Sequence, residues 1–372
     1  MSTSTRTFDR TRFPWALCLA AAAGLILEVG LFSKAYLLAD RNNMAIVYKK
    51  HQVEHERLDA DVVIFGESGT LSLNPAVMER EIGGAYSIRN SGVRDMGYTR
   101  VLPLMLRQYL RHQPKPRLIL FNIRPDHFYL EKETLDERTL QMVRRYVDLE
   151  DLWEVSDRKI PMLKSYAQNL LPSLNYRVFI VASLPEPFRD WRNTRVDLLE
   201  PLPFRERLRR ARGVLKTIEE TKGHYDVQDD SEIYTPERMN AERGIGEVRR
   251  DRVYPSSREV ERVIAMAQER GIPVIYYLIP VNPYRANWAR ETRYFENVEA
   301  RLDEFEKKYP CFTYFRVADF GYDADLFADR AHLNARGSEK FSRDFIRAVD
   351  PVIRRKLKGE VVQGLPPRKS WE

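Results

Sequence analysis

Asp61-Val62-Val63-Ile64-Phe65-Gly66-Glu67-Ser68-Gly69-Thr70 is the stretch whose reading decides the fold. Its apolar core, Val62 to Phe65, has no polar interruption and runs into a Gly-rich break, Gly66-Glu67-Ser68-Gly69, with a serine inside it. A continuous apolar run closed by glycine is the pattern of a parallel strand buried on both faces, not of a half-exposed one. In open α/β sheets ligands meet the carboxyl ends of such strands, so Ser68 stands where a nucleophile would. A serine at this place also serves as a helix cap, and the rest of the chain must choose between the two.

Outward from that strand, the chain alternates. Asn74-Pro75 opens a short helix through Ile82, which Gly83-Gly84 ends. Residues 85–89 make a second strand closing on Asn90-Ser91-Gly92. A helix over 98–111 follows, broken by Pro114 and Pro116, then a third strand over 117–121. After a long interruption come a helix over 256–270, a strand over 273–279 ending at Pro280-Val281-Asn282-Pro283, a helix over 288–308 and a strand over 312–317. A loop over 322–332 and a helix over 335–357 complete the series. Strand, helix, strand with short links predicts an α/β fold with a flavodoxin-like, three-layer parallel sheet and right-handed crossovers. The interruption, residues 127–252, is rich in arginine and proline and reads as a helical insert, fit to cap the sheet, dock a partner or lie on a membrane.

The flanks have their own character. Residues 1–12 are polar. Residues 13–37 are mostly apolar over the length of one membrane span. The run continues past the small residues Ala20–Ala23, which favours an uncleaved anchor over a signal peptide, although Glu28 lies within it at a cost in lipid. Residues 38–58 read as a juxtamembrane helix, 59–357 as the α/β domain, and 358–372 as a disordered tail.

Composition narrows the partners. The 61 Lys and Arg against 54 Asp and Glu leave +7, spread along the chain rather than blocked, and no nucleic-acid module motif accompanies it. That suits an anionic envelope or lipid surface and no nucleic acid. The two cysteines, Cys18 and Cys311, have neither disulfide nor metal-ligand spacing. His51-Gln52-Val53-Glu54-His55 fits the H-x-x-E-H pattern of inverted zinc peptidases. It sits in a polar connector with no third ligand in sight, so a solvated helix is the expected reading and no metal is assigned.

Near the end stands Asp329-Arg330-Ala331-His332-Leu333-Asn334, with Gly337 beyond. Acyl transfer through serine needs a base for the hydroxyl proton and an acid to orient the imidazole. An aspartate three residues before a histidine supplies both. A structural ion pair is the bland alternative for such a string. Gly66-Glu67-Ser68 after the first strand, Gly92 after the second and Asp329-x-x-His332 before the last helix together resemble the SGNH (GDSL-type) hydrolase superfamily. The resemblance implies Ser68 as nucleophile, His332 as base and Asp329 as its orienter. It also implies oxyanion donors from the N–H groups of Ser68 and Gly92 and from the turn after the third strand, at Asn122 or Arg124. Asn282 and Asn334 are expected to line the substrate, and the chemistry needs no cofactor.

The phrase His332-Leu333-Asn334-x-x-Gly337, the Pro280–Pro283 strand end and the anchor look like the membrane-anchored SGNH-like proteins of bacterial envelope acylation, of the teichoic-acid D-alanylation and alginate O-acetylation type. That likeness implies an extracytoplasmic serine O-acyltransferase or esterase held in the inner membrane. It would act on an acylated or acceptor envelope polymer, beside a multi-span membrane O-acyltransferase. Two departures stand out: Gly-Glu-Ser replaces Gly-Asp-Ser, and the third block reads Asn122-Ile123-Arg124-Pro125 where G-x-N-D is usual. The second departure motivates an alternative, an inert binding or scaffold protein of the same fold. The α/β-hydrolase pattern fits less well, because the second glycine of G-x-S-x-G is missing.

Overall fold

The computed structural model describes residues 15–94, 101–124, 128, 148–155, 159–160, 162–164, 171, 173, 176–183, 202–225, 257–280, 282–283, 294–315, 322–329 and 332–362. The chain divides into two compact units, Asp40–Tyr166 with Arg210–Glu372, and Met1–Ala39 with Ala167–Arg209.

The first of these holds a five-stranded, all-parallel sheet: β1 (Val62–Gly66), β2 (Ile88–Asn90), β3 (Leu118–Asn122), β4 (Val274–Tyr277) and β5 (Phe312–Phe315). The order β2-β1-β3-β4-β5 is one of the two common doubly wound orders, with its switch point between β1 and β3. Every residue of β1, β3 and β4 is buried, which explains why those strands read as unbroken apolar runs.

Alternate residues feed two cores. Val63, Phe65, Ile119, Phe121 and Tyr276 pack with the helices Arg41–His55 (α2), Leu102–His112 (α4), Ser257–Glu269 and Tyr294–Lys308. Val62, Ile64, Leu120 and Tyr277 pack with Pro75–Glu81 (α3) and the final helix, Ala335–Leu357. Helices on both faces are compatible with a three-layer arrangement.

Side-chain caps fix three helix starts, the first of them as the sequence reading expects. Asn74 caps α3 by accepting from the N–H groups of Ala76 and Val77, with Pro75 in the first turn. Asn334 caps the final helix through Gly337 N–H at 2.9 Å. Asp40 caps α2 through Asn43 N–H at 2.9 Å, so the connector helix starts at Arg41 rather than 38. The strand expected over 85–89 begins only at Ile88, because Gly83 and Gly84, both at positive φ, turn the chain there. The tail from 363 onward and the expected helical start over 288–293 lie outside the described residues.

In the other unit, the apolar segment is not one uninterrupted helix. An α-helix, Trp15–Ile26 (α1), passes into a wider π-type turn over Leu27–Phe32, and a 3₁₀ turn follows at Ala35–Leu38. Among the described residues no helix is long and apolar enough to cross a membrane. Leu19, Leu25, Ile26, Leu27 and Val29 are each more than half exposed. Glu28 accepts from the N–H of Ser173 at 3.0 Å and from its hydroxyl, so the acid that interrupts the apolar run is hydrogen-bonded. The insert is therefore divided between the two units. Its 167–209 portion groups with the N-terminal segment, and its described residues include no strand.

Candidate active site

Gly66 ends β1 at φ +139°, and a Cβ there would lie 1.8 Å from the Asn122 carbonyl oxygen. No other residue fits where β1 and β3 approach so closely. The chain then turns through Glu67 into a 3₁₀ turn, Ser68–Ser72, at the switch point of the sheet. Ser68 is buried there. Its Oγ lies 2.9 Å from His332 Nε2, and His332 Nδ1 lies 2.7 Å from Asp329 Oδ2. The other Asp329 oxygen accepts the His332 backbone N–H at 2.7 Å. A carboxylate only accepts, so Nδ1 carries the ring proton and Nε2 accepts from the Ser68 hydroxyl. This is the hydrogen-bond order a serine nucleophile requires.

Long-range contacts hold this order in place. The loop carrying Asp329 and His332 is pinched by a bridge between Phe327 and Leu333 and by Ala328 N–H donating to the His332 carbonyl at 3.0 Å. The final helix is then fastened to the serine turn. Ser338 donates to the Ser72 carbonyl at 3.1 Å, and Ser342 accepts the Asn74 N–H at 2.8 Å. Neither serine bears any sequence signal, since both look like ordinary polar helix positions.

The residues expected at the oxyanion hole are placed differently from one another. The Ser68 and Gly69 N–H groups precede the first bond of the 3₁₀ turn, from Thr70 N–H to the Glu67 carbonyl at 2.9 Å, and so start the turn as donors. Gly92 packs against Thr70, where a Cβ would lie 1.8 Å from Oγ1. Its N–H donates to Asn90 Oδ1 at 3.0 Å. Asn122 turns its nitrogen to the Tyr277 carbonyl at 2.6 Å, leaving Oδ1 toward Gly69. It therefore presents an acceptor to the serine turn, not a donor. Arg124 gives its N–H (2.6 Å) and Nε (3.1 Å) to Glu67.

The Gly-Glu-Ser departure thus has a local account. The longer Glu67 carboxylate, buried beneath the turn, reaches across to brace the segment after β3. Tyr276 braces the same segment through the Ile123 carbonyl at 2.6 Å; burial first, then the charge of Glu67, pushes its phenol well above its ordinary pKa. Asn90 was missed in the sequence. Besides accepting from Gly92, it donates to the carbonyls of Thr70 (2.7 Å) and Leu73 (3.0 Å), tying the serine turn to the β2 loop. Its place in Asn90-Ser91-Gly92 marked a turn but not this bridging role.

The structure places the two residues expected to line the substrate as follows. Asn334 spends its oxygen on Gly337 N–H and its nitrogen on the Asp325 carbonyl at 2.7 Å, so it serves as a helix cap. Asn282 is fully buried. His51 and His55 share a face of α2 with ring centroids 4.8 Å apart, yet Glu54 is engaged by Gln108 and Lys50. Among the described residues no group of three His, Cys, Asp or Glu is placed to hold a metal.

No protein-family model matches the chain, and no curated protein matches it.

Proposed function

We propose that the protein is a serine esterase or O-acyltransferase working through Ser68, His332 and Asp329. The observation that carries the reading is the unbroken relay Ser68 Oγ–His332 Nε2 (2.9 Å) and His332 Nδ1–Asp329 (2.7 Å). Ser68 Oγ attacks the acyl carbon of an ester while His332 takes the hydroxyl proton. The tetrahedral oxyanion meets the N–H groups that start the Ser68 turn. His332 then returns its proton to the leaving alkoxide as the C–O bond breaks, leaving an acyl-Ser68. Water or an acceptor hydroxyl attacks that ester, again through His332, to release acid or a new ester.

The strand order and the position of Ser68 at the switch point support a flavodoxin-like, SGNH-type fold. That the ester belongs to an envelope polysaccharide or related polymer, reached from the outer side of a bacterial inner membrane beside a multi-span O-acyltransferase, rests on the family resemblance. The exposed apolar surface of α1 supports attachment to the bilayer.

A second reading has its own observation. With the Gly92 N–H given to Asn90 and the Asn122 nitrogen given to Tyr277, two expected donors are turned away, as suits an inert scaffold. A fluorophosphonate probe decides between them. The enzyme reading expects covalent labelling of the purified chain that is lost in both Ser68→Ala and His332→Ala. Absence of labelling in a folded wild-type chain refutes it and favours the scaffold.

A further inference from the structure

Within the unit formed by Met1–Ala39 and Ala167–Arg209, the insert is fastened to the N-terminal segment at two places. Ser173 gives its N–H (3.0 Å) and its hydroxyl to Glu28, and Arg207 donates to the Leu38 carbonyl at 3.4 Å. Between these ties, Tyr176 and Ala182 at the two ends of the helix Arg177–Ala182 are buried. The N-terminal segment and the insert therefore form one packed body, and the acid that would be costly in lipid has its donors supplied by the insert.

The outer surface of this body is apolar on both of its parts. Besides the exposed side chains of α1 and the turn after it, Leu171 and Phe204 of the insert are 40% and 51% exposed. Apolar surface of this kind marks a contact with protein or membrane, and charge selects between them. The described residues of the unit carry Lys34, Arg177, Arg205, Arg207 and Arg209 against Glu28 and Glu206. Both acids are engaged, Glu28 by Ser173 and Glu206 by Arg209 at 2.7 Å. Lys34, Arg177 and Arg205 are exposed and have no ion-pair partner among the described residues. A protein interface is depleted of charge at its core, with lysine disfavoured. Unpaired cations beside exposed apolar side chains are instead what a surface lying in an anionic lipid interface presents.

We propose that residues 171–183 and 202–209 of the insert are a second membrane contact, docking on anionic phospholipid headgroups through Arg177 and Arg205, with Leu171 and Phe204 at the acyl boundary. The inference rests on the reading above that α1 attaches the chain to a bilayer. It assigns this part of the insert to lipid rather than to capping the sheet.

The test reconstitutes the full chain into vesicles of phosphatidylcholine alone, or of phosphatidylcholine with phosphatidylglycerol, each with a trace of diazirine-bearing phosphatidylcholine. After irradiation, lipid adducts are mapped onto peptides by mass spectrometry in wild type, Arg177→Gln/Arg205→Gln and Leu171→Ser/Phe204→Ser. Adducts are expected on α1 in both vesicles, and on 171–183 and 202–209 with a yield that rises when phosphatidylglycerol is present. In each paired variant the insert adducts are expected to fall about tenfold or more, the scale of about fivefold per arginine near an anionic surface, with α1 adducts unchanged. The wild-type comparison of the two vesicles needs no substitution, so a variant that fails to melt cooperatively leaves the test decisive. Adducts on α1 alone in both vesicles overturn the insert contact and leave the attachment reading standing, whereas no adducts anywhere overturn both. Insert adducts indifferent to phosphatidylglycerol and to the arginine pair refute headgroup docking. Insert peptides free of lipid but increasingly protected from hydrogen exchange as protein density rises mark a second copy as the occupant, and also overturn it.

Discussion

Asp329→Asn perturbs the relay with the least change of shape. The two Asp329 oxygens do different work: Oδ1 accepts the His332 backbone N–H at 2.7 Å, and Oδ2 accepts Nδ1–H at 2.7 Å. An asparagine keeps the first contact by placing its carbonyl at the Oδ1 position, since a backbone N–H can be met only by an acceptor. Its amide nitrogen is then forced toward Nδ1, donor against donor. The imidazole answers by moving its proton to Nε2, which now faces Ser68 Oγ as a donor and no longer accepts the hydroxyl proton. The loop and the fold survive while the base is lost. Such a change of tautomer costs about 10⁴ in rate in a serine triad, equivalent to about 5 kcal/mol at the transition state. The assay is the rate of fluorophosphonate labelling or of a chromogenic ester's hydrolysis, with thermal melting to show that the variant is folded. A folded Asp329→Asn chain whose rate stays within about tenfold of wild type would refute the relay as the source of activity.

Two predictions concern the scaffold beneath the site. Gly66→Ala puts a Cβ 1.8 Å from the Asn122 carbonyl at φ +139°, so the β1–β3 approach must open; the expected loss is about 3 kcal/mol or more by chemical denaturation, and a loss within noise would show that the approach is not tight. Asp61 accepts from Ser87 N–H (2.9 Å), Ser87 Oγ (3.0 Å) and Arg117 (3.2 Å). Burial alone would raise its pKa, but these bonds outweigh it and hold the carboxyl below its ordinary range. A depressed folded pKa means stability present above about pH 4 and lost as pH falls through the folded value. The melting temperatures of wild type and Asp61→Asn should therefore differ at pH 6 and converge on acidification; parallel curves down to pH 2 would contradict it.

Much of this protein is local enough to read from its residues. β1 was legible because a strand buried on both faces has no polar position to disguise it, and all five residues of Val62–Gly66 are buried. The final helix was legible at both ends, since the expected bounds, Ala335 and Leu357, are those of the structure. Ser68, Asp329 and His332 were nameable because their order along an α/β pattern is itself the signal.

What only the tertiary structure decided are matters of which acceptor a donor meets. The Asn122 nitrogen finds the Tyr277 carbonyl, 155 positions away, and so turns an oxygen toward Gly69. Asn334 looked like a substrate contact, but its oxygen meets Gly337 within its own helix cap. Lys49 looked like one more charge on a solvated connector, because the sequence of α2 carries no apolar stripe to mark an inward face. Its buried end meets the Gly92 carbonyl and the Tyr225 ring, on segments distant in the chain. Charge and spacing along a chain name the groups capable of chemistry, whereas the partner of each hydrogen bond depends on which distant strand end the sheet brings beside it.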